Sequence, residues 1–449
     1  MQNFEYIKKT DKIFFVGIGG ISQSALALYL KSLGYEVLGS DKAENEQVRK
    51  LKTHGVKVYI GHKKENVIGV NVCVYTSAVN DANPEIAYLK NSGARLIKRS
   101  ELLAEIVKLF KTSVGVSGTH GKTTTTTMIC EILTKSKNRV TGFIGGESLS
   151  FGNLLIGSSD TIVFEACEYK KNFLDILPKI SVVLNVDNDH ADTFIDENDR
   201  ITTFKKFAEN TLCFYNKDDE ACKKVAPYSA ISFAIKNNAI YNAVNLRKNQ
   251  TGYSFTVKYY NKSLGRIHLS ASGKHNVYNA LASFSVAHTL GVCPRQIKSA
   301  LENYGGVKRR NEYLGKFNGA DFYADYAHHP KEISSYLEIY SKKYKDVTVI
   351  FQPHTFSRTK ALMNDFVKCF NQELSVYIYK TYSARENYDK EGSALKLCEN
   401  IKKNSCQNAI YLNTDKALKA LLNSKAVQGK IVLIIGAGDL YNIVKKFLK

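Results

Sequence analysis

The stretch from Gly115 to Met128, GVSGTHGKTTTTTM, constrains the fold of this chain more than any other. An apolar run precedes it, glycines occupy its middle, and a helix pattern follows over residues 122–135. Glycines allow the backbone to approach a ligand closely, and the first turn of a helix offers free N–H groups to an anion. A strand, a glycine loop and a helix in this order predict an α/β domain with a phosphate-binding loop.

The loop departs from the strict pattern Gly-x-x-x-x-Gly-Lys-Thr, because Val116 stands where the first glycine belongs. The alternative interpretation is a threonine-rich turn without a ligand. However, β-branched threonines start helices poorly, and a lysine beside a glycine has no packing role. The loop is therefore expected to bind nucleotide phosphates through Gly118, Thr119, His120, Gly121, Lys122, Thr123 and Thr124.

The rest of the chain repeats the α/β pattern on both sides of this loop. Strand, glycine loop, helix and strand follow one another from "KIFFVG" to "YEVLGSD", which is a doubly wound unit. A third series starts after the glycine-rich and charged stretch "YGGVKRRNEYLG". The sequence therefore predicts three consecutive α/β domains: a Rossmann-like domain over 1–110, a central phosphate-loop ATPase domain over 111–304 and a Rossmann-like C-terminal domain over 305–449.

Composition narrows the possible function. The net charge of +21 brings nucleic acid to mind, but the lysines are spread over the whole chain, and none of the usual nucleic-acid-binding signatures is present. No apolar run reaches the roughly 18 residues of a membrane span. The nine cysteines have no C-x-x-C spacing, which is typical of buried thiols in a reducing cytoplasm. We therefore expect a cytoplasmic protein with no nucleic-acid or membrane partner.

Two polar segments follow neighbouring strands of the central series. Glu165 ends the strand "TIVFE", and His190 lies in the segment "DNDHADT" after "SVVLNV". The carboxyl ends of parallel strands are where α/β sheets place active-site groups. Carboxylate and imidazole beside a phosphate loop suit Mg²⁺, whose other ligands are water and phosphate. The alternative is an ordinary polar loop. We predict a magnesium site formed by Thr123, Glu165 and His190.

These motifs, with others in the same order, resemble the Mur ligases, which build the bacterial wall precursor. The resemblance rests on the ordered motifs GIGGISQSALALYL, SAVNDANPEI, GTHGKTTT, EACEYKKNFL, DNDHADTF, HNVYNALA, GVKRRNEYLG, DYAHHPKEI, FQPHTFSRTK and GAGDL, which cover nearly the whole chain. It implies an ATP-dependent ligase with Mg²⁺, in which the N-terminal domain binds a UDP-sugar. The motifs are most similar to those of members that join L-alanine to UDP-N-acetylmuramate.

For the N-terminal loop, the residues alone leave two ligands open. "GIGG" is a degenerate dinucleotide fingerprint, because Ser22 replaces its last glycine, although Asp41 has near the expected ribose spacing. The resemblance favours the UDP part of the substrate over NAD. It implies a site formed by Gly17, Gly19, Gly20, Asp41, Thr76 and Ser77.

The resemblance also implies ligand contacts later in the chain. Asn276 and Asn279 approach the adenine, Arg310 reaches the ATP phosphates, and Asp325 accepts from the ATP ribose. Neighbouring Lys308 and Arg309 are compatible with solvated linker charges. Arg358 is the expected clamp for the amino acid's carboxylate, since its planar fork matches that group. His328 and His354 are expected in the same substrate pocket, and Lys122, Glu165, His190 and Arg310 are the expected catalytic residues.

Other functions remain open at this point. A member of the same family that joins a ready-made tripeptide to the same sugar nucleotide shares most of these motifs. A non-catalytic nucleotide sensor is a second possibility, although Lys122, Glu165 and His190 are retained. A dehydrogenase would use only the first loop and leave the second without a role. The sequence does not identify the general base, the amino-acid selectivity or the oligomeric state.

Overall fold

The computed structural model describes residue 4 and residues 7–76, 79–187, 193–249, 252–384 and 386–448. These residues form three β-sheets in two compact units, one up to Gly306 and one from Val307 onward. Helices cover the sheets, so the predicted class of three consecutive α/β domains is confirmed. The predicted boundaries after residues 110 and 304 stay predictions. Within the described residues, every helix is too short or too polar to cross a membrane.

The first sheet is parallel throughout, with strand order β3-β2-β1-β4-β5. Its elements are β1 (Lys12–Val16), α1 (Ile21–Ser32), β2 (Glu36–Asp41), α2 (Glu46–Thr53), β3 (Lys57–Ile60), a 3₁₀ helix over Lys64–Val67, β4 (Val72–Tyr75), α3 (Pro84–Lys90), β5 (Arg95–Lys98) and α4 (Arg99–Lys108). The order reverses at β1, and in such sheets ligands bind outside the strand ends at this reversal. The predicted loop after β1 lies there.

The second sheet has the order β15-β14-β13-β12-β11-β10-β6-β9-β7-β8. Its strands are β6 (Thr112–Ser117), β7 (Thr141–Ser148), β8 (Gly152–Leu155), β9 (Thr161–Glu165), β10 (Ile180–Val183), β11 (Leu212–Asn216), β12 (Ile231–Ala234), β13 (Tyr241–Lys248), β14 (Tyr253–Tyr259) and β15 (Lys262–Leu269). Its helices are α5 (Lys122–Lys135), α6 (Glu197–Ala208), α7 (Glu220–Val225), α8 (His275–Thr289) and α9 (Pro294–Glu302). Strands β13 to β15 are antiparallel, which explains the short alternating runs of that region.

These two sheets belong to one packed unit. Buried residues of both, among them Phe15, Phe143 and Phe164, form a continuous apolar cluster. The Asn153 amide donates to the Ile21 carbonyl at 2.7 Å and to the Ser24 hydroxyl at 2.9 Å. Asn153 is fully buried, so these bonds fix α1 on the second sheet. The loop after β1 is therefore held at a defined place relative to the central sheet.

The third sheet has the order β16-β17-β21-β18-β19-β20 and is parallel apart from the β16–β17 hairpin. Its strands are β16 (Glu312–Phe317), β17 (Ala320–Asp325), β18 (Val347–Phe351), β19 (Leu374–Tyr379), β20 (Ile410–Leu412) and β21 (Ile431–Ile435). Its helices are α10 (Pro330–Ser341), α11 (Phe356–Ala361), α12 (Met363–Lys368), α13 (Ala394–Asn404), α14 (Asp415–Leu422) and α15 (Leu440–Phe447), with a 3₁₀ helix over Lys390–Gly392.

Two helix predictions are wrong in detail. The sequence favours a helix over "FLDILP", but the structure has a 3₁₀ helix over Tyr169–Asp175, with Lys170 and Lys171 at positive φ. The sequence also favours one helix over 359–373, but the structure has two, α11 and α12, because Leu362 leaves the helical conformation with φ −111° and ψ 21°. Periodicity alone does not register either break.

Candidate functional site

The glycine loop between β6 and α5 has the geometry that its sequence predicts. Gly118 has φ +136°, and a Cβ there would lie 3.1 Å from backbone atoms of Asn185. Gly121 has φ +84°, and a Cβ there would lie 2.5 Å from the amide oxygen of Asn279. Both positions need glycine, for the backbone conformation and for space. The helix then starts at Lys122, so its first free N–H groups face the loop.

Asn185 holds the loop in this shape, and the sequence did not single it out. Its side chain accepts from the His120 N–H at 2.8 Å and donates to the His120 carbonyl at 3.0 Å. Its carbonyl accepts from the Thr119 N–H at 3.2 Å, and the Thr119 hydroxyl accepts from the Asp187 N–H at 2.9 Å. The available signal was an amide two residues after the end of β10, the strand that pairs with β6. Thr119 and His120 are therefore anchored from the neighbouring strand.

Lys122 is paired with a buried carboxylate. Its ammonium donates to Glu168 at 3.0 Å, to the Thr119 carbonyl at 3.1 Å and to the Gly118 carbonyl. The side chain of Glu168 is 2% exposed and that of Lys122 is 12% exposed. Burial acts to lower the pKa of the Lys122 ammonium, but the charge and hydrogen bond of Glu168, together with the charges of Cys167 and Glu165, outweigh burial, so the pKa is raised. Lys122 is therefore a permanent cation at neutral pH.

The next loop residue, Thr123, meets the carboxylate at the end of β9. Its hydroxyl donates to Glu165 at 2.7 Å, and the Gly145 N–H donates to the same carboxylate at 3.1 Å. A Cβ at Gly145 would overlap Glu165, so this glycine permits the close approach. A hydroxyl and a carboxylate at this distance are the hard oxygen donors that Mg²⁺ prefers. Two of the three predicted metal ligands thus lie together.

The third predicted ligand, His190, lies outside the described residues, as do Asp189 and Asp192. Among the residues that the structure describes, no group of three or more His, Cys, Asp and Glu side chains is placed to hold a metal ion. The donor set that fits Mg²⁺ is therefore Thr123 and Glu165, and the contribution of His190 stays a prediction.

The predicted adenine residues lie on α8 beside the loop. The Asn279 amide donates to the Asn276 side chain at 2.9 Å, and the Asn276 amide donates to the Ser272 carbonyl at 2.7 Å. Asn279 is the residue that a Cβ on Gly121 would strike. The structure therefore brings Asn279 to the phosphate loop, with Asn276 one helical turn before it.

Asp41 closes the first loop of the chain, a contact that its ribose-type spacing did not predict. The Gly19 N–H donates to the Asp41 carboxylate at 2.8 Å, and the Gly20 N–H donates to the Gly17 carbonyl at 3.1 Å. Gly17 has φ +77° and begins the turn. Thr76 follows the adjacent strand β4 at the same sheet edge, and Ser77 lies outside the described residues. The loop and Thr76 thus share the reversal point of the sheet.

In the second unit, Arg310 lies between two residues with positive φ, Arg309 at +59° and Asn311 at +52°. The Asp325 carboxylate accepts from the Asn311 N–H and from the Ala327 N–H, each at 2.8 Å. Burial raises the pKa of the Asp325 carboxyl to about 6, against Arg310 and both amides, which act to lower it. Asp325 therefore holds this part of the backbone, in addition to its predicted role toward ribose.

Arg309 is not the solvated linker charge that the sequence allowed. Its guanidinium donates to the Gly436 carbonyl at 2.6 Å and to the Gly438 carbonyl at 3.0 Å. That interpretation is wrong for Arg309, because its partners are more than 100 residues away in sequence and local patterns do not report them.

The predicted amino-acid pocket is brought together within the second unit. The rings of His328 and His354 are 5.9 Å apart, and the ring of His354 stacks on Tyr382 at 5.5 Å. Arg358 donates to the Nδ1 atom of His354 at 3.2 Å. Thr355 has φ +66°, a strained conformation for a β-branched residue, and it turns the chain from β18 into α11. His328, His354 and Arg358 thus form one cluster.

The chain is similar to known proteins over nearly its whole length. Residues 12–111 match the model "Mur ligase family, catalytic domain", residues 116–287 match "Mur ligase middle domain", and residues 309–438 match "Mur ligase, glutamate ligase domain". A UDP-N-acetylmuramate–L-alanine ligase of Caldicellulosiruptor saccharolyticus is 42% identical over 98% of both chains. The protein of the same name from Acetivibrio thermocellus is 40% identical over 98% of this chain and 96% of its own.

Solved structures agree with this similarity. The UDP-N-acetylmuramate–alanine ligase of Thermotoga maritima has a TM-score of 0.85 and 27% identity, and 98% of each chain is covered. A murein peptide ligase from Psychrobacter arcticus has a TM-score of 0.75 at 22% identity and 98% coverage of each chain, which concerns the fold alone.

Proposed function

The chain belongs to the Mur ligase family, and we propose that it joins L-alanine to the carboxylate of UDP-N-acetylmuramate in an ATP-dependent reaction. It is an amide-bond-forming ligase of peptidoglycan precursor synthesis. The observation that carries this proposal is the similarity to relatives of this one name, at 42% and 40% identity over nearly the whole of both chains. The phosphate loop and the amino-acid cluster supply the residue types that the reaction requires.

The reaction has two steps. A carboxylate oxygen of the muramic acid attacks the γ-phosphorus of ATP, the bond from that phosphorus to the β,γ-bridging oxygen breaks, and ADP leaves. The product is an acyl phosphate. The neutral amine of alanine then attacks the acyl carbon, the C–N bond forms, the C–O bond to phosphate breaks, and one amine proton passes to a base. The first step brings two anions together, so positive charge at the phosphates is the main catalytic requirement.

Lys122, the loop N–H groups and Arg310 are the groups that we assign to the phosphates. Asn185 accepts from the N–H groups of Thr119 and His120 and so fixes the loop, and the free N–H groups at the start of α5 then face the phosphates without rearrangement. Asn276 and Asn279 are assigned to the adenine, Asp325 to the ribose, and Thr119, His120 and Thr124 to the walls of the nucleotide pocket. The loop of Gly17, Gly19 and Gly20 with Asp41, Thr76 and Ser77 is assigned to the UDP part of the substrate.

Thr123 and Glu165 would hold Mg²⁺, with His190 as the further predicted ligand. When bound there, Mg²⁺ supplies positive charge beside the phosphate oxygens. In the structure, the hydrogen bond from the Thr123 hydroxyl to the Glu165 carboxylate keeps these two hard oxygen donors together beside the start of α5. Arg358, with His328 and His354 beside it, is assigned to the carboxylate of alanine, because a guanidinium binds a carboxylate through two parallel hydrogen bonds.

The cysteines support a reducing compartment. All nine lie within the described residues and all are free. Free thiols persist in the cytoplasm, where the substrates named here would be made. We therefore propose a cytoplasmic location.

The test is phosphate release from ATP in the presence of UDP-N-acetylmuramate, with one acceptor added at a time. Release that depends on L-alanine is the expected result. Release that depends on a muropeptide-type tripeptide and not on alanine would assign the chain to the recycling branch of the family. No release with any acceptor, together with tight ATP binding, would indicate a nucleotide sensor.

A further inference from the structure

Arg309 makes more contacts than a charged residue in a linker between two units needs. It opens the second unit beside Arg310, and the loop that accepts its two hydrogen bonds follows β21, the central strand of the third sheet. Gly436 of that loop has φ +143° and lies against Gln352, so a side chain there would meet backbone at 2.7 Å. The loop is thus a rigid acceptor. Arg309 thus connects the start of the second unit to the loop after β21, in the middle of the third sheet.

Two aromatic rings enclose the same guanidinium. Its central carbon lies 4.6 Å from the centroid of the Tyr326 ring and 4.9 Å from that of the Tyr441 ring. Both distances are within the range of a cation–π contact. The guanidinium of Arg310 lies 5.4 Å from the Tyr326 ring as well. Tyr326 is therefore the side chain that Arg309 and Arg310 share.

The backbone from Arg309 to Asn311 is fixed in a strained conformation. The Arg309 carbonyl accepts from the Tyr326 N–H at 2.6 Å, and its N–H donates to Glu312 at 2.7 Å. Asp325 holds the Asn311 N–H on the other side. Positive φ at two non-glycine residues costs free energy and persists only where surrounding contacts impose it. Arg309 and Asn311 thus enclose Arg310 and determine where its side chain starts.

We propose that Arg309 is a positioning residue: through the glycine loop, Tyr326 and the strained backbone it fixes Arg310 in the orientation that serves ATP. This inference rests on the proposed function for the role of Arg310 toward the nucleotide. Arg309 keeps its charge for this purpose, because its partners are carbonyl dipoles and rings, which hold a cation without neutralising it. Arg310 is then a preorganised group that does not need to search for its place during turnover.

A double-mutant cycle separates positioning from a general structural role. Arg310→Ala is expected to lower kcat/KM for ATP by about 100-fold, the usual effect of removing one charge-stabilising donor. Arg309→Ala is expected to lower it by about 30-fold, mainly through kcat, and to add less than about twofold in the Arg310→Ala background. Lys308→Ala is the matched neighbour and is expected to leave the rate unchanged. Tyr441→Phe keeps the ring and is expected to cost less than about threefold.

Arg309→Lys keeps the charge but lacks the planar fork, so it is expected to recover only part of the lost rate. If Arg309→Ala fails to fold, as judged by its thermal unfolding, the same cycle is run with Arg309→Lys. If the losses of the two single variants multiply in the double variant, or if Arg309→Ala has full activity, the proposal is overturned.

The cycle is measured twice, on turnover and on the dissociation constant of a fluorescent ATP analogue. If the wild-type chain shows no ligase turnover, the proposed function fails, and the cycle in analogue affinity still decides the role of Arg309. Coupled losses of affinity support positioning. Independent losses, or no loss in either single variant, contradict it.

Discussion

Two cations of this molecule are held in opposite ways. Lys122, in the phosphate loop of the first unit, is paired at 3.0 Å with Glu168, a carboxylate whose side chain is only 2% exposed. Arg309, at the start of the second unit, donates to two backbone carbonyls and lies between two tyrosine rings. The lysine therefore has a charged partner that a ligand must compete with, whereas the described side-chain hydrogen bonds of the arginine go to uncharged carbonyls.

The difference indicates that Lys122 can move when a ligand binds, whereas Arg309 holds its neighbours in place. A lysine that binds phosphate must leave or share its resting partner when the nucleotide arrives, and a carboxylate keeps it charged and in reach until then. An arginine that aligns a neighbour must not move, and its planar fork suits fixed carbonyl acceptors. The charge of the partner should therefore decide whether each cation moves or stays fixed.

Removing the mobile cation should have the largest effect. Lys122→Ala is expected to lower kcat by at least about 1,000-fold, because the charge that offsets two approaching anions is lost in a buried site. Binding of UDP-N-acetylmuramate, measured by calorimetry, should stay nearly unchanged. The control is Lys135→Ala at the other end of the same helix, which should retain full activity. A Lys122→Ala enzyme with the wild-type rate would refute this role for the loop.

Arg358 extends the comparison to a third cation. One described hydrogen bond of its guanidinium goes to the Nδ1 atom of His354 at 3.2 Å, which places the planar fork in the predicted amino-acid pocket. Arg358→Ala should raise KM for alanine by about 100-fold and lower kcat much less. Steady-state kinetics with varied alanine measure this. Lys360→Ala, which removes an exposed ion pair with Asp389, is the control, and an unchanged KM in Arg358→Ala would locate the clamp elsewhere.

Neutralising the partner of Lys122 tests the comparison directly. Glu168→Gln keeps the shape of the side chain and removes the charge that competes with phosphate for the ammonium. Affinity for an ATP analogue should therefore increase by about 10-fold, since a buried negative charge beside the site no longer opposes the anion. The control is Glu131→Gln. Glu131 is a buried carboxylate on α5 that accepts from Ser150, and its substitution should leave the affinity unchanged. Weaker binding by Glu168→Gln would show that Glu168 assists the nucleotide.

The smallest effects concern pH, and the two units should respond with opposite sign. Burial raises the pKa of Asp325 in the second unit to about 6, so its folded state binds a proton more tightly than the unfolded chain does. That contribution is present below about pH 4, the unfolded value, and is lost as the pH rises through 6. The local unfolding constant should therefore increase by about 10-fold between pH 5 and pH 7.

Asp218 in the first unit is the opposite case. Burial acts to raise its pKa, but the N–H groups of residues 235–237 and the Tyr278 hydroxyl outweigh burial and lower it. Its contribution is present above about pH 4 and is lost as the pH falls below that value. Hydrogen exchange, corrected for the intrinsic rate at each pH, measures both units in one sample. Asp325→Asn and Asp218→Asn should each remove the pH dependence of their own unit only.

The sequence predicted the parts of the site that depend on neighbours along the chain. Glycines at 118 and 121, the helix from residue 122 and Glu165 at a strand end are local patterns, and the structure has each of them. It did not predict Asn185, which fixes His120 from 65 residues away, or the contact between Lys122 and Glu168, which are 46 residues apart.

Arg309 is the clearest example of this limit, since the loop that it binds lies 127 and 129 residues further along the chain. Strand order brings these partners together, and a short motif does not encode strand order. The 3₁₀ segment has a similar long-range partner: Lys171, at positive φ, forms an ion pair at 2.6 Å with Asp199, which lies 28 residues further along the chain.

The central claim is that the Lys122 loop holds ATP so that the sugar's carboxylate attacks its γ-phosphorus. UDP-N-acetylmuramate labelled with ¹⁸O in the carboxylate tests this claim most directly. After complete turnover with ATP and alanine, the released phosphate is examined by ³¹P NMR. Each phosphate should carry one ¹⁸O atom, because the attacking oxygen stays on phosphorus when the amine displaces phosphate. Amide formation with unlabelled phosphate would contradict the claim.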